Sequence, residues 1–239
     1  MLLKLPAVAI IAVYLLAALL PALFLMRYIY RKDTIEKEPK GMLISLVFLG
    51  VAAALVAVVL ESLGSGLLSR YLEQDDPAYT IVLAFLVVAV VEEGAKFCFL
   101  FWRTWRDPNF NFRFDGIVYA VFVSLGFAAF ENVSYVMGYG LSAAVARALL
   151  AIPAHMGFAV FMGYFYARAK RCADGGDVRG RRRNLWASYL VAVLLHGFYD
   201  ACALMGTVLS TLLFTAFVVS MYVFVVRLIR RESRNDAPI

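Results

Sequence analysis

The chain has 239 residues, 63% of them hydrophobic and only 17% charged, with a formal net charge of +6. Soluble domains carry about 25% charged residues, so this composition excludes an ordinary soluble globular protein and points to a polytopic membrane protein. Three scattered cysteines, Cys98, Cys172 and Cys202, form no CxxC and argue against a disulfide framework or a cysteine metal centre.

A membrane helix needs about 20 apolar residues. Seven segments meet that length: Leu5–Tyr28, Met42–Leu68, Tyr79–Trp102, Phe114–Met137, Ala143–Tyr166, Leu185–Leu204 and Gly206–Val226. The first reads as an uncleaved span. Its apolar run is too long for a signal peptide and ends in Arg27, Tyr28 and Tyr30 with no small-residue cleavage site. No polar block is long enough for a separate soluble domain. The expected fold is therefore one all-α membrane bundle over residues 1–239, with a catalytic core at about 79–204.

Orientation follows from the basic residues. Nineteen of the 23 Lys and Arg fall in four regions: Arg27–Lys40, Arg103–Arg113, Arg168–Arg183 and the tail from Arg227. These regions alternate so as to share one side, leaving Lys4, Arg70 and Arg147 opposite and Lys96 within the membrane. The N-terminus is thus expected outside and the C-terminus in the cytoplasm, with the positive charge serving topology and no nucleic-acid footprint. An anionic-lipid contact at Arg179–Arg183 is a weaker second reading of that run. The mixed-charge loop Asp33–Pro39 reads as a solvated turn, and Glu73–Pro77 as a solvated cap.

Ionisable residues inside the spans are costly and mark functional sites. The third span holds Glu92, Glu93 and Lys96, which meet at i,i+4 and i,i+3. One lysine cannot neutralise two carboxylates, so one of them must find another cation, a metal or a proton. The fourth span holds Glu131, one turn from Tyr135, whose phenol it can bind. The fifth holds His155 just after Pro153, a residue that kinks helices. The sixth holds His196 and Asp200 at i,i+4. Both histidines of the chain therefore sit in mid-span. Glu61, near the outer end of the second span, reads as snorkelling or packing. At 1.5 Å per residue, Glu92 and His155 lie roughly 20 Å from the outer face, and Glu131 and His196 roughly 12 Å.

Two chemistries suit this set. His155, His196 and Glu131 have the donor types to hold Zn²⁺ with a position open for water, although no HExxH is present. Alternatively, a glutamate acts as general base on water while Asp200 steadies the imidazole or the oxyanion. Both are hydrolyses in a membrane cavity. No Ser or Cys has a close His partner, and no glycine-rich phosphate loop is visible.

In chain order, DTIEKEP (Asp33–Pro39), EEGAK (Glu92–Lys96), FDGIVYA (Phe114–Ala120), FENVSY (Phe130–Tyr135), His155 and HGFYD (His196–Asp200) resemble the PrsW-type intramembrane proteases. The wider superfamily includes the type II CAAX prenyl endopeptidases and bacteriocin-processing relatives, with EExxxR, FxxxH and HxxxN motifs. The resemblance implies a water-activating role for Glu92, with Glu93 and Lys96 as partners, and equates His196 and Asp200 with HxxxN. Glu131 stands where those relatives have histidine, so His155 then supplies the second imidazole. The resemblance leaves metal use open. It implies a single-span membrane protein as substrate, typically an anti-sigma factor. A proton- or ion-coupled transporter is the first competing reading, although no inverted repeat supports it. A non-catalytic scaffold or receptor is the second.

Overall fold

The computed structural model describes residues 7–239. In order, the elements are α1 (Ala7–Lys32), α2 (Lys40–Leu68), α3 (Pro77–Val82), a π-helical segment (Leu83–Ala89), α4 (Val90–Thr104), α5 (Asp115–Tyr139), α6 (Leu141–Leu149), α7 (Ala151–Asp174), α8 (Val178–Leu204) and α9 (Val208–Arg234). No strand forms among the described residues beyond an isolated bridge between Phe112 and Pro238. Six helical stretches are long and apolar enough to cross a membrane, one of them being Leu141–Asp174, which joins α6 and α7. The seventh long helix is the continuous run of α3, the π segment and α4, whose apolar character is broken by Glu92, Glu93 and Lys96. The protein is an all-α, multi-pass membrane bundle. Lys4 and the start of the first expected span lie outside the described residues.

α5 is the axis of this bundle. It is apolar nearly all round, and its most hydrophobic window is 83% buried, against 11% for α1 and 22% for α9. A helix hydrophobic on every face belongs inside. The outer helices turn large apolar side chains such as Phe24, Phe48, Leu63, Leu212 and Phe224 away from the protein, where lipid replaces protein as their partner. Lipid tails are as apolar as leucine, so close van der Waals packing holds such helices together. Gly126 of α5 faces the Val47 carbonyl of α2, and a Cβ there would lie 2.3 Å from that oxygen. Gly163 of α7 meets the Gly116 carbonyl of α5 in the same way, with a Cβ 2.3 Å away.

Two helices depart from the expected spans. The π segment carries an i,i+5 bond from the Val90 amide to the Phe85 carbonyl. π turns inside α-helices frequently mark functional sites. In the fifth span the helix breaks at Leu150, three residues before Pro153. Pro153 sits in the first turn of α7, where its missing N–H leaves no helical bond unmade on its own side. The Leu149 carbonyl that an amide at 153 would have bonded is instead satisfied by the Tyr222 hydroxyl of α9, 3.0 Å away. α8 begins at Val178, capped by Asp177, so Arg179–Arg183 lie in its first turns instead of in a loop.

The basic loops and the C-terminal tail gather at one end. Arg113 N donates to Ala237 O, Ile239 N to Asn111 O, and Asp236 accepts from the Phe114 amide at 2.9 Å. Here the expected solvated turn, Asp33–Pro39, keeps five of its seven residues exposed but buries two of its carboxylates. Asp33 and Glu38 are enclosed, because the tail and the loop before α5 close over them. Glu38 accepts from the Tyr119 hydroxyl at 2.7 Å. Burial pushes Asp33 up to about 6, partly offset by the Lys37 charge and the Glu38 amide. Burial likewise pushes Glu38 up to about 7 against its bond from Tyr119.

Candidate active site

At the opposite end of the bundle, α4, α5, α7 and α8 converge on buried ionisable side chains. α4 presents Glu92, Glu93 and Lys96 on successive turns. The π segment before it is wedged between α2 and α8: Val87 packs at Gly64, and Phe85 lies where a Cβ on Gly197 would fall, 2.4 Å from its ring. The Val90 carbonyl, just past the wedge, accepts from Tyr189 of α8 at 3.0 Å. Gly197 follows His196, so the same close contact that seats the wedge sets the imidazole against α4.

Lys96 is the hub, fully enclosed. Its ammonium lies 3.0 Å from Glu92 Oε2, 2.8 Å from Glu93 Oε1 and 3.2 Å from His155 Nδ1, and 4.0 Å from the centroid of the Phe127 ring. An ammonium has three hydrogens and no acceptor. All three have partners here, which makes His155 Nδ1 an acceptor and leaves the Nε2 hydrogen for Glu131 Oε2, 3.0 Å away. His196 faces carboxylates on both sides, Glu93 Oε1 at 2.9 Å from Nδ1 and Asp200 Oδ2 at 3.2 Å from Nε2. Both ring nitrogens thus face a carboxylate, and one of these contacts would give way if His196 ligated a metal. Phe158 stacks on this imidazole at 4.9 Å.

The two adjacent glutamates differ in access. Glu93 is completely buried and absent from the cavity wall, whereas Glu92 lines a cavity of about 340 Å³ with Glu131, His155, His196 and Asp200. The helical angle between neighbours turns one carboxylate to the cavity and the other to the protein.

Three features depart from the sequence reading. Glu131 takes Arg147 as its second partner, at 2.8 Å, and not Tyr135; the Tyr135 ring lies under the Arg147 guanidinium at 4.0 Å. Arg147, read as an outer-loop charge, is the only Lys or Arg on the cavity wall among the described residues. The short α6 carries it inward, reached by a turn at Gly140 whose φ of 82° favours glycine. Arg147 Nε donates to Asn132 Oδ1 at 3.0 Å, and Asn132 donates to Ala18 O of α1 at 2.7 Å. Glu61 also lines the cavity, and its Oε1 is buried without a hydrogen-bond partner.

The side chains that converge most tightly are Glu92, Glu93, His155 and His196, each offering one ligand atom within 4.8 Å of the others. This set shares His155 and His196 with the expected one and has Glu92 and Glu93 where that had Glu131, whose Oε2 lies 2.8 Å from Arg147 Nη2 and 3.0 Å from His155 Nε2. Two imidazoles and two carboxylates are donors that zinc accepts. Glu93 Oε2, buried and without a hydrogen-bond partner, is a spare acceptor for a cation. The residues therefore fit a divalent metal in kind, with Lys96 Nζ in contact with three of the four.

Comparison with known proteins bears on this arrangement. Residues 38–229 match the family model described as PrsW family intramembrane metalloprotease. Proteins named Protease PrsW are similar to the chain over most of its length. The relative from Geobacillus kaustophilus is 34% identical over 186 residues, 77% of this chain and 76% of its own. That from Bacillus subtilis is 33% identical over 190 residues, covering 77% and 79%. That from Oceanobacillus iheyensis is 31% identical over 219 residues, covering 92% and 95%. No solved structure matches. With its buried glutamate–histidine cluster inside a multi-pass helical bundle, the chain belongs to the PrsW family of intramembrane proteases.

Proposed function

We propose that the chain cleaves a peptide bond of a membrane-anchored protein with a water activated at Glu92. The observation that carries this reading is the division of labour within the pair: Glu92 faces the cavity, while Glu93 is buried between Lys96 and His196. Glu92 takes a proton from water as the oxygen adds to the scissile carbonyl, and returns it to the leaving nitrogen as the C–N bond breaks. Arg147, the cation on the cavity wall, donates to the developing oxyanion. Its Nη2 is buried and makes no hydrogen bond of good geometry, although it lies 2.8 Å from Glu131 Oε2. Glu93, Lys96 and Asp200 fix His196 and hold the charges of the cluster in place. Glu93, His155 and His196 would hold a divalent metal and leave Glu92 as the base, and the metal would polarise the water and the carbonyl.

The cavity opens away from the basic loops, so under the positive-inside orientation cleavage falls in the outer half of the bilayer. By family resemblance the substrate is a single-span protein such as an anti-sigma factor, and the chain acts as a single membrane domain. The test is cleavage of a candidate single-span substrate in liposomes by wild type, Glu92→Gln, His155→Ala and His196→Ala, with and without chelator. All three variants lose cleavage. Loss on chelation with recovery on adding zinc assigns the metal. Normal cleavage by all three variants overturns the reading, and proton-driven solute uptake by the wild type favours a carrier.

A further inference from the structure

We propose that the cavity at the basic end, between the loop before α5 and the C-terminal ends of α7 and α9, binds a phosphate group of dianionic character. Arg113 from the loop, Arg168 and Arg171 from α7 and Arg231 from α9 all line one space of about 380 Å³. Four like charges brought together from three elements repel unless something neutralises them. Among the described residues the only carboxylate in the wall is Glu232, and Arg231 engages it from two nitrogens at 2.8 and 2.7 Å. Arg113, Arg168 and Arg171 form no ion pair among the described residues, and Arg113 Nε is buried with no partner. Asp236, whose charge also reaches Arg113, turns its oxygen to the Phe114 and Ala237 amides.

The guanidinium groups are also oriented. Arg168 Nη1 donates to the Tyr164 hydroxyl at 2.8 Å, and the Arg168 and Arg231 guanidiniums lie 5.5 and 5.6 Å from that ring. Guanidinium forks match phosphate oxygens two at a time, and a group already fixed loses little freedom on binding. Arg168 and Arg171 have no carboxylate paired with them, and two such charges beside Arg113 favour a phosphomonoester or a diphosphate over a singly charged diester. The run Arg179–Arg183 differs, since it winds around the first turns of one helix. Arg168 lies thirteen residues along α7 from His155, roughly 20 Å at helical rise. That depth is suited to a lipid headgroup at the membrane surface as well as to a soluble phosphate.

The test uses the full chain in neutral detergent and phosphate-free buffer, with binding read by native mass spectrometry. The probes are short-chain phosphatidic acid, the matching phosphatidylcholine, and sodium pyrophosphate. Wild type is expected to bind phosphatidic acid or pyrophosphate about tenfold or more tightly than phosphatidylcholine, the effect of one or two charge-assisted bonds. Arg168→Gln/Arg171→Gln removes that preference and Arg179→Gln/Arg183→Gln keeps it. If the first double variant fails to fold, Arg171→Gln alone, which breaks no observed contact, serves instead. Phosphatidic acid bound but not displaced by pyrophosphate assigns the lipid headgroup, and pyrophosphate bound in its own right assigns a soluble phosphate. No preference in wild type, an equal loss in both double variants, or full retention after Arg168→Gln/Arg171→Gln overturns the proposal.

Discussion

His196 Nδ1 lies 2.9 Å from Glu93 Oε1, joining residues 103 positions apart in the chain, and both side chains are buried. This bond ties α4 to α8 across the floor of the cavity, and Lys96 holds the same oxygen at 2.8 Å. Removing one partner of a buried charged pair strands the others and costs about 3–5 kcal/mol. Glu93→Gln should therefore lower the melting temperature sharply and abolish cleavage with it. Glu92→Gln leaves the Glu93–Lys96 and Glu93–His196 bonds in place. It gives up the Lys96–Glu92 ion pair, 3.0 Å long, so it should lose less melting temperature than Glu93→Gln while losing about 10²–10⁴-fold in kcat, the usual weight of a general base. Thermal melts in detergent alongside single-turnover cleavage check the split, and equal melting losses for the two variants contradict the division of labour.

Arg147 separates a catalytic from a positioning role. If its guanidinium meets the oxyanion, Arg147→Gln lowers kcat by about 10²–10³-fold with KM little changed, as for other oxyanion donors. Arg147→Lys keeps the charge but loses the fork that reaches Asn132 and Glu131 together, so it should recover only part of kcat. A variant that raises KM alone assigns Arg147 to substrate binding. Glu131→Gln supplies the comparison, since it loosens Arg147 without removing it.

The bundle was legible because its signal is hydrophobic length, which needs no tertiary information. The in-span charges were legible for the same reason: in a hydrocarbon-length run Glu92, Glu93 and Lys96 stand out without any contact being known. The π segment was not, since inserting an extra residue per turn into LAFLVVA leaves the apolar run unchanged. Arg147 was misplaced because a charge-counting rule treats every basic residue near a span end as loop, while the break at Leu150 turns α6 back over the cavity. Asp33 and Glu38 looked solvated because their loop is polar. The tail that buries them arrives from 200 residues downstream, and nothing in the sequence announces that contact.

That buried corner makes a pH prediction. The folded pKa of Asp33 is raised to about 6 from its ordinary 3.8, so the native state binds more protons than the unfolded chain between those values. Stability from this group is thus greatest below about pH 4 and is lost as pH rises through about 6; Glu38, raised to about 7, extends the decline. Asp33→Asn removes the Asp33 share. Its melting temperature should exceed wild type at pH 7.5, and the difference should shrink toward pH 4.5. A constant difference across that range denies the linkage. The charges facing Asp33 are Lys37, Asp236 and Glu36, so an asparagine amide has carboxylate acceptors nearby.

Gly197 offers a test of the wedge that touches no ionisable side chain. A Cβ at this position would lie 2.4 Å from Phe85 Cδ1 and 2.7 Å from Cγ, too near the base of the ring for the side chain alone to swing clear. In Gly197→Ala the π segment must therefore shift along α8, carrying the start of α4 and its two glutamates with it. A displacement of 1 Å at a reacting group costs about 10²-fold in rate. Gly197→Ala is thus expected to lose about that much kcat. Phe85→Ala/Gly197→Ala should restore a good part of it, because the deleted ring vacates the space that the methyl enters. The double variant forms a void elsewhere and melts lower, so cleavage rate and melting temperature should move in opposite directions between the single and double variants. If Gly197→Ala cleaves at the wild-type rate, the wedge does not set the position of α4.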